Sequence, residues 1–137
     1  MTDLLLDTCT VIWTGNDELI EADAKTAINA TRREGGRTYV SPFSAWELGL
    51  LVARARLRLE RPVENWFEDY VTKGRITLAE ASPRILIASS FLPGEPPADP
   101  ADRIIIATAR MLNLCIVTRD RLILDYAHAG HVRALRC

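Results

Sequence analysis

Short apolar segments alternate with longer helix-like segments along the chain, and this alternation constrains the fold more than any other feature. Residues 3–7, 38–40 and 115–117 are β-prone and have the length of buried strands. The stretches between them carry apolar residues at helical spacing. Strands separated by helices pair in parallel through right-handed crossovers. The sequence therefore predicts an α/β protein, a three-layer α/β/α sandwich around a central, mostly parallel sheet.

Prolines and glycines indicate most of the element boundaries. We expect the first long helix to be capped by Asn16 or Asp17 and to end at Gly35-Gly36. A later helix should run as far as Phe91. Residues 76–78 and 131–135 are weaker candidates for strands. Several predicted helices have a proline near the first turn, where a missing N–H is tolerated: Pro42, Pro62, Pro83 and Pro100.

Composition limits the class of protein. A chain of 137 residues is expected to form one domain, residues 1–137, and its 48% hydrophobic and 26% charged residues argue against disorder. No apolar run approaches the roughly 18 residues of a membrane span, and no secretion signal is visible. Three widely spaced cysteines match neither a disulfide framework nor a zinc site. We therefore expect a cytoplasmic protein with no membrane partner.

Four carboxylates occupy positions that this fold would bring together. Asp7 and Asp120 follow predicted strands, Asp102 begins a strongly apolar helix, and Glu47 lies within an otherwise apolar helical stretch. Ligands of open parallel sheets bind outside the carboxyl ends of the strands. Clustered acids repel one another unless a cation lies among them, and Mg²⁺ and Mn²⁺ prefer oxygen ligands. The sequence thus predicts a Mg²⁺ or Mn²⁺ site formed by these four side chains.

Each acid also has a purely structural explanation. Asp7 and Asp99 are suitable N-caps, and Thr118 could cap the final helix with Asp120 in its first turn. Glu47 could be an exposed residue at a helix edge. Ser44 precedes it by three residues, so the two side chains should face the same rim.

Two arginine-rich segments are candidate phosphate-binding sites in a chain whose net charge is only −1. Arginine donates two hydrogen bonds in a planar fork that matches phosphate. The alternative is a solvated helix end, where arginine interacts with the helix dipole. One segment spans residues 32–37, and the other contains Arg54, Arg56 and Arg58.

The chain resembles PIN-domain ribonucleases, and among them the VapC-type toxins of bacterial toxin–antitoxin pairs. The resemblance covers nearly the whole chain, and four motifs in the correct order make it specific. They lie at Leu4–Thr8, Ser41–Glu47, Asp99–Ala109 and Val117–Asp120.

The resemblance implies a metal-dependent endoribonuclease that hydrolyses RNA phosphodiesters with metal-activated water. By motif position, it assigns the Mg²⁺ (or Mn²⁺) ligands and catalytic residues to Asp7, Glu47, Asp102 and Asp120. Asp99, Thr118 and Ser44 would support the site. It also implies a homodimer and a small VapB-like antitoxin, so Arg54, Arg56 and Arg58 would contact either RNA or the antitoxin.

Three alternatives remain beside this interpretation. A phosphatase of the haloacid dehalogenase type needs a second aspartate two residues after Asp7, where this chain has Cys9. A receiver domain needs a lysine after the last strong strand, and the only lysines are Lys25 and Lys73. A non-catalytic PIN-like domain that binds RNA or protein would keep the same scaffold. His128 and His131 are the only histidines and have no adjacent cysteine or acid pair, and no nucleophile elbow, Walker loop or dinucleotide fingerprint occurs.

Overall fold

A five-stranded parallel sheet is the centre of the computed structural model, which describes residues 2–137. The strands lie in the order β3-β2-β1-β4-β5, so β1 pairs with β2 on one side and with β4 on the other. Every pairing is parallel, as the strand–helix alternation predicts. The strands are β1 (Leu4–Leu6), β2 (Thr38–Val40), β3 (Thr77–Leu78), β4 (Cys115–Thr118) and β5 (Arg133–Arg136).

Helices cover both faces of the sheet and complete the three-layer α/β/α arrangement. Alternation along β1 separates the two cores, because neighbouring side chains of a strand point to opposite faces. Leu4 and Leu6 pack with residues of α1, α2, α3 and α4, whereas Leu5 packs with residues of α6 and α7. The helices are α1 (Thr8–Gly15), α2 (Ala22–Arg33), α3 (Pro42–Ala53), α4 (Val63–Lys73), α5 (Pro83–Ala88), α6 (Pro100–Leu112) and α7 (Arg121–His128).

Local capping chemistry places the two helices that supply acids to the sheet edge. Ser41 caps α3 by accepting a hydrogen bond from the backbone N–H of Phe43 at 3.1 Å. Asp99 caps α6 by accepting from the N–H groups of Ala101 and Asp102. In both helices proline follows the cap at the first helical position, which fixes the start of the helix.

Two predicted boundaries are wrong. Neither Asn16 nor Asp17 caps α2, because the Asn16 N–H donates to the Ile12 carbonyl at 3.0 Å and ends α1; Glu21 occupies the N-cap position of α2 instead. The helix after Pro83 ends at Ala88 and does not reach Phe91. No helix among residues 2–137 is long and apolar enough to cross a membrane.

Candidate functional site

The candidate site lies where the carboxyl ends of β1 and β4 adjoin. From β1 the chain crosses first to β2 on one side, and it later returns to form β4 on the other side. Such a reversal leaves a crevice at the carboxyl ends of the two central strands, where open α/β sheets bind ligands. Asp7 directly follows β1, and its N–H donates to the carbonyl of Val117 in β4 at 3.3 Å.

Asp7 is fixed by its role as the N-cap of α1. Its Oδ1 accepts a hydrogen bond from the Thr10 N–H at 2.9 Å, and its Oδ2 accepts from the hydroxyl of Thr118. The side chain is buried. Burial raises the pKa of Asp7, and the hydrogen bonds from Thr118 and Thr10 offset only part of that rise. The predicted cap is therefore confirmed, and the same carboxylate faces the crevice.

Asp120 is the N-cap of α7, and Thr118 is not. Asp120 Oδ1 accepts from the Ile123 N–H at 3.0 Å, whereas Thr118 Oγ1 accepts from the Asp120 N–H at 3.0 Å. The expectation that Thr118 caps this helix is thus wrong, because β4 extends through Thr118 and α7 starts three residues later. Thr118 instead joins the two acids, since its hydroxyl donates to one and accepts from the backbone of the other.

Glu47 reaches the site from the first half of α3. The Thr8 hydroxyl is within hydrogen-bonding distance of Glu47 Oε1, at 2.5 Å, and of the buried Ser44 hydroxyl, at 2.9 Å. Ser44 and Glu47 therefore face the same rim, as their spacing predicts. Partial burial raises the pKa of Glu47, the Thr8 hydrogen bond lowers it, and the charges of Asp99 and Asp7 raise it further.

Asp102 carries the most strongly perturbed carboxyl of the four. It lies in the first turn of α6, and within residues 2–137 no hydrogen bond reaches its carboxylate, although its backbone N–H donates to Asp99. Partial burial raises the pKa of Asp102 to about 7, and the negative charges of Asp120, Asp99, Glu47 and Asp7 add to the rise.

One cavity of about 250 Å³ brings the four predicted acids together. The Cys9 thiol lines the same cavity and is affected by the negative charge of the four acids. Desolvation and these charges raise the pKa of Cys9 to about 11. Thiols with such a pKa are poor nucleophiles at neutral pH. The lining residues are Asp7, Thr8, Cys9, Trp13, Glu47, Asp102, Ile105, Arg119 and Asp120.

Three of the remaining predicted site residues line a second cavity beside the acidic one, and Arg58 does not. An adjoining cavity of about 380 Å³ shares Glu47 with it and is also lined by Asp99, Arg54 and Arg56. Arg58 is exposed and lines neither cavity. Asp99 contributes to the acidic cavity as the cap that holds the first turn of α6.

The four carboxylates have the chemistry of ligands for a divalent cation that prefers oxygen. Four carboxylates surround one space, and the pKa values of Asp7, Glu47 and Asp102 are all raised, so their charge is not neutralised by the protein. In the described part of the chain, however, no three acidic, histidine or cysteine side chains are arranged to hold an ion without adjustment. Asp7 and Asp120 are tied to backbone N–H groups, so the adjustment falls to Glu47 and Asp102.

Five lining residues are not predicted by the sequence: Thr8, Cys9, Trp13, Ile105 and Arg119. Thr8 and Arg119 adjoin predicted ligands in the chain, and that adjacency was the available signal. Trp13 carries no such signal, because only the path of α1 brings its ring to the cavity wall. There the Arg119 guanidinium lies over the Trp13 ring, 3.7 Å from the ring centroid.

Comparison with known proteins gives two findings on sequence. The family model described as "PIN domain" matches residues 4–129. Ribonuclease VapC22 of Mycobacterium tuberculosis is 31% identical to this chain over 132 residues, covering 93% of this chain and 95% of that protein.

Solved structures with the same fold have lower sequence identity. VapBC2 from Rickettsia felis, solved with a DNA fragment from its promoter, superposes with a TM-score of 0.73 and 13% identity, covering 99% of both chains. FitAcB from Neisseria gonorrhoeae gives a TM-score of 0.56 and 24% identity, covering 96% of both chains. At these identities the likeness concerns the fold, and it agrees with the predicted three-layer arrangement.

Proposed function

The chain belongs to the PIN domain family, and from this premise we propose that it is a metal-dependent endoribonuclease, the toxin of a toxin–antitoxin pair. One observation carries the proposal. Four acids from distant parts of the sequence, each explicable alone as a structural residue, line a single cavity at the carboxyl ends of the central strands. The family match and the identity to a ribonuclease over most of both chains support the same activity.

The cofactor we propose is Mg²⁺ or Mn²⁺, held by Asp7, Glu47, Asp102 and Asp120. When bound, such an ion activates water as the nucleophile and offsets the negative charge of the phosphodiester. Asp7 and Asp120 would present carboxylates whose positions are set by their capping bonds. Glu47 and Asp102 would complete the ligand set from the two helices.

Proton release should accompany loading of the site. The pKa of Asp102 is about 7, so near neutral pH a large share of molecules carries a proton on this carboxyl. A cation binds the deprotonated form, and binding therefore displaces that proton. Thr118 keeps Asp7 oriented, the Thr8 hydroxyl does the same for Glu47, and Asp99 sets the first turn of α6 around Asp102.

The partners we propose are an RNA substrate, a VapB-like antitoxin and a second copy of the chain, in the cytoplasm. Structures of VapBC2 and of FitAB, each solved with a DNA fragment, share this fold. The adjoining cavity, with Arg54 and Arg56, is the proposed contact area for RNA or for the antitoxin, and Arg58 lies further along the same segment.

The direct test is cleavage of labelled single-stranded and hairpin RNAs by the purified, partner-free chain. Mn²⁺ and Mg²⁺ should each support cleavage, and EDTA should abolish it. Asp102→Asn should lose activity, whereas Asp125→Asn should keep it. Asp125 is a matched control because it is an exposed acid on α7 and does not line the cavity.

Two results would contradict the proposal. Cleavage that persists in EDTA would exclude a metal requirement. RNA binding without cleavage under any metal condition would instead favour a non-catalytic PIN-like domain.

A further inference from the structure

We propose that Arg119 binds a backbone phosphate of the RNA substrate at the mouth of the acidic cavity, and that Trp13 positions it there. This inference rests on the proposed nuclease function and adds a substrate-binding residue to it. The inference is based on the charge of Arg119 and on its contacts, which the proposed metal site does not require.

Among the lining residues that the structure describes, Arg119 has the only cationic side chain. Within residues 2–137 it forms no ion pair with an aspartate or glutamate side chain, although four carboxylates line the same space. The positive charge of Arg119 therefore does not neutralise these acids. The acids can therefore bind a cation, while the guanidinium can bind an anion.

An aromatic ring and two backbone oxygens hold Arg119 in this position. Its guanidinium lies over the Trp13 ring, and its Nη2 donates to the backbone oxygens of Cys137 at 3.0 Å and Leu19 at 3.4 Å. Arginine over an indole face is a stabilising cation–π arrangement. These contacts orient the side chain.

The free part of the guanidinium is suited to phosphate. A guanidinium has five N–H donors, and both hydrogen bonds described above start from Nη2. Nε and Nη1 therefore retain donors for a further acceptor, and the side chain is exposed. Each of these N–H groups can donate a charge-assisted hydrogen bond to a phosphate oxygen.

The backbone beneath Arg119 is fixed on both sides. Thr118 is bonded to Asp7, and Asp120 is bonded to Ile123. Arg119 therefore leaves the chain from a rigid point beside two proposed metal ligands. A side chain ordered before binding loses less conformational entropy when its ligand arrives.

Phosphate, and not a base, is the group that this arrangement recognises. The guanidinium already covers a face of the Trp13 indole, so that face is not free to stack a base. A polyanion approaching four acids also needs a local attraction, and the chain as a whole, with a net charge of −1, supplies none.

The test is the affinity of the full chain for a fluorescein-labelled single-stranded 20-nucleotide RNA, measured by anisotropy in EDTA at several salt concentrations. Arg119→Gln should raise Kd by about tenfold and reduce the salt slope by about 0.7, the share of one phosphate contact on a single strand. Arg119→Lys should recover the salt slope but only part of the affinity, because it keeps the charge and loses the guanidinium plane that lies over Trp13.

Arg121→Gln is the matched control. It removes the same charge two residues away, from an exposed side chain that does not line the cavity. We expect it to change neither Kd nor salt slope. Trp13→Phe should weaken binding less than Arg119→Gln, and Trp13→Leu should approach it, since leucine has no aromatic face for the guanidinium.

The outcome separates this inference from the proposed function. RNA binding that depends on Arg119 in a chain that never cleaves would support the phosphate contact and contradict the nuclease. Unchanged Kd and salt slope in Arg119→Gln, with cleavage intact, would overturn the contact alone. If Arg119→Gln instead lost binding to an acidic partner protein and kept its RNA affinity, the phosphate contact would likewise be overturned.

Discussion

The two walls of the acidic cavity differ in how their polar atoms are bonded. The strand-end wall presents Asp7 and Asp120, whose carboxylates accept hydrogen bonds from backbone N–H groups and which the buried hydroxyl of Thr118 joins from behind. The helix wall consists of Glu47 and Asp102. Glu47 accepts one bond from Thr8, and within residues 2–137 the Asp102 carboxylate accepts none.

This difference teaches that the two walls relate differently to stability. The hydrogen bonds of the strand-end wall stabilise the fold, because its acids cap α1 and α7, and they offset part of the cost of burying Asp7. The helix wall places a desolvated charge in the fold without compensation, and the raised pKa of Asp102 is the sign of that cost. Strained or uncompensated groups of this kind concentrate at functional sites.

Alanine substitution of one acid from each wall should have the largest effect on RNA cleavage and should distinguish the two walls by stability. Asp7→Ala and Asp102→Ala should each reduce RNA cleavage by at least about 100-fold, since each removes a proposed metal ligand. Asp7→Ala should also lower the free energy of unfolding by about 1–3 kcal/mol, because a cap and a buried hydroxyl lose their partner. Asp102→Ala should raise the melting temperature at pH 8.

Urea and thermal denaturation of the metal-free proteins would measure the stability effects. The comparison between walls fails if Asp102→Ala is destabilised as much as Asp7→Ala, since Asp102 would then have a structural role that its contacts do not reveal.

The next effect concerns Thr118, which links the strand-end wall. Thr118→Val should leave Asp7 Oδ2 and the Asp120 N–H without their partner, costing about 1–3 kcal/mol of stability and about 10- to 100-fold in cleavage. Thr108→Val is the control. Thr108 is equally buried, but its hydroxyl only donates to the Ile104 carbonyl in its own helix, so we expect a change below about 1 kcal/mol.

A smaller effect is the pH dependence of stability, measured as the difference in melting temperature between Asp102→Ala and the unmodified chain. The pKa of Asp102 is raised from 3.8 to about 7 in the fold. Between these values the folded state binds more protons than the unfolded state, so stability falls as the pH rises. The advantage of Asp102→Ala should therefore grow from pH 4 to pH 7 and level off above. An advantage that stays constant over this range would contradict the assigned origin of the shift.

The smallest effect tests Asp99, which lies behind the helix wall. Asparagine caps a helix as well as aspartate does, so Asp99→Asn should change stability by less than about 0.5 kcal/mol. Its lost charge should lower the pKa of Asp102 and Glu47, because Asp99 raises both. We expect slightly weaker Mn²⁺ binding at pH 6, because the lost charge attracted the divalent ion more strongly than it favoured the competing proton; loss of saturable binding would indicate that Asp99 is itself a ligand.

Much of the fold followed from the sequence because its elements carry strong local signals. The strand at 38–40 and the helix starting at Pro42 have the predicted positions, since β-prone residues and a Ser-Pro cap are local properties. The start of α2 did not follow, because Asn16 is used by the backbone that ends α1. A residue suited to two roles gives no sequence signal for which of them the packing selects.

The site was predicted in the same uneven way. The four acids could be grouped because strand order puts strand ends together, and that grouping depends only on topology. The contact between Arg119 and Trp13 could not, because it depends on the path of α1 and on a side-chain direction. Asp120, and not Thr118, caps α7 because β4 extends through Thr118. The periodicity of the sequence does not determine this last residue of the strand.

The most direct measurement is calorimetric titration of Mn²⁺ into the partner-free chain at pH 6.5, in two buffers with different ionisation enthalpies. Saturable binding with transfer of protons to the buffer, and its loss in Asp102→Ala but not in Asp125→Asn, is the result that a four-carboxylate metal site predicts. Absence of saturable binding, or equal binding in Asp102→Ala, would contradict that site, and the four acids would then be explained by their structural roles.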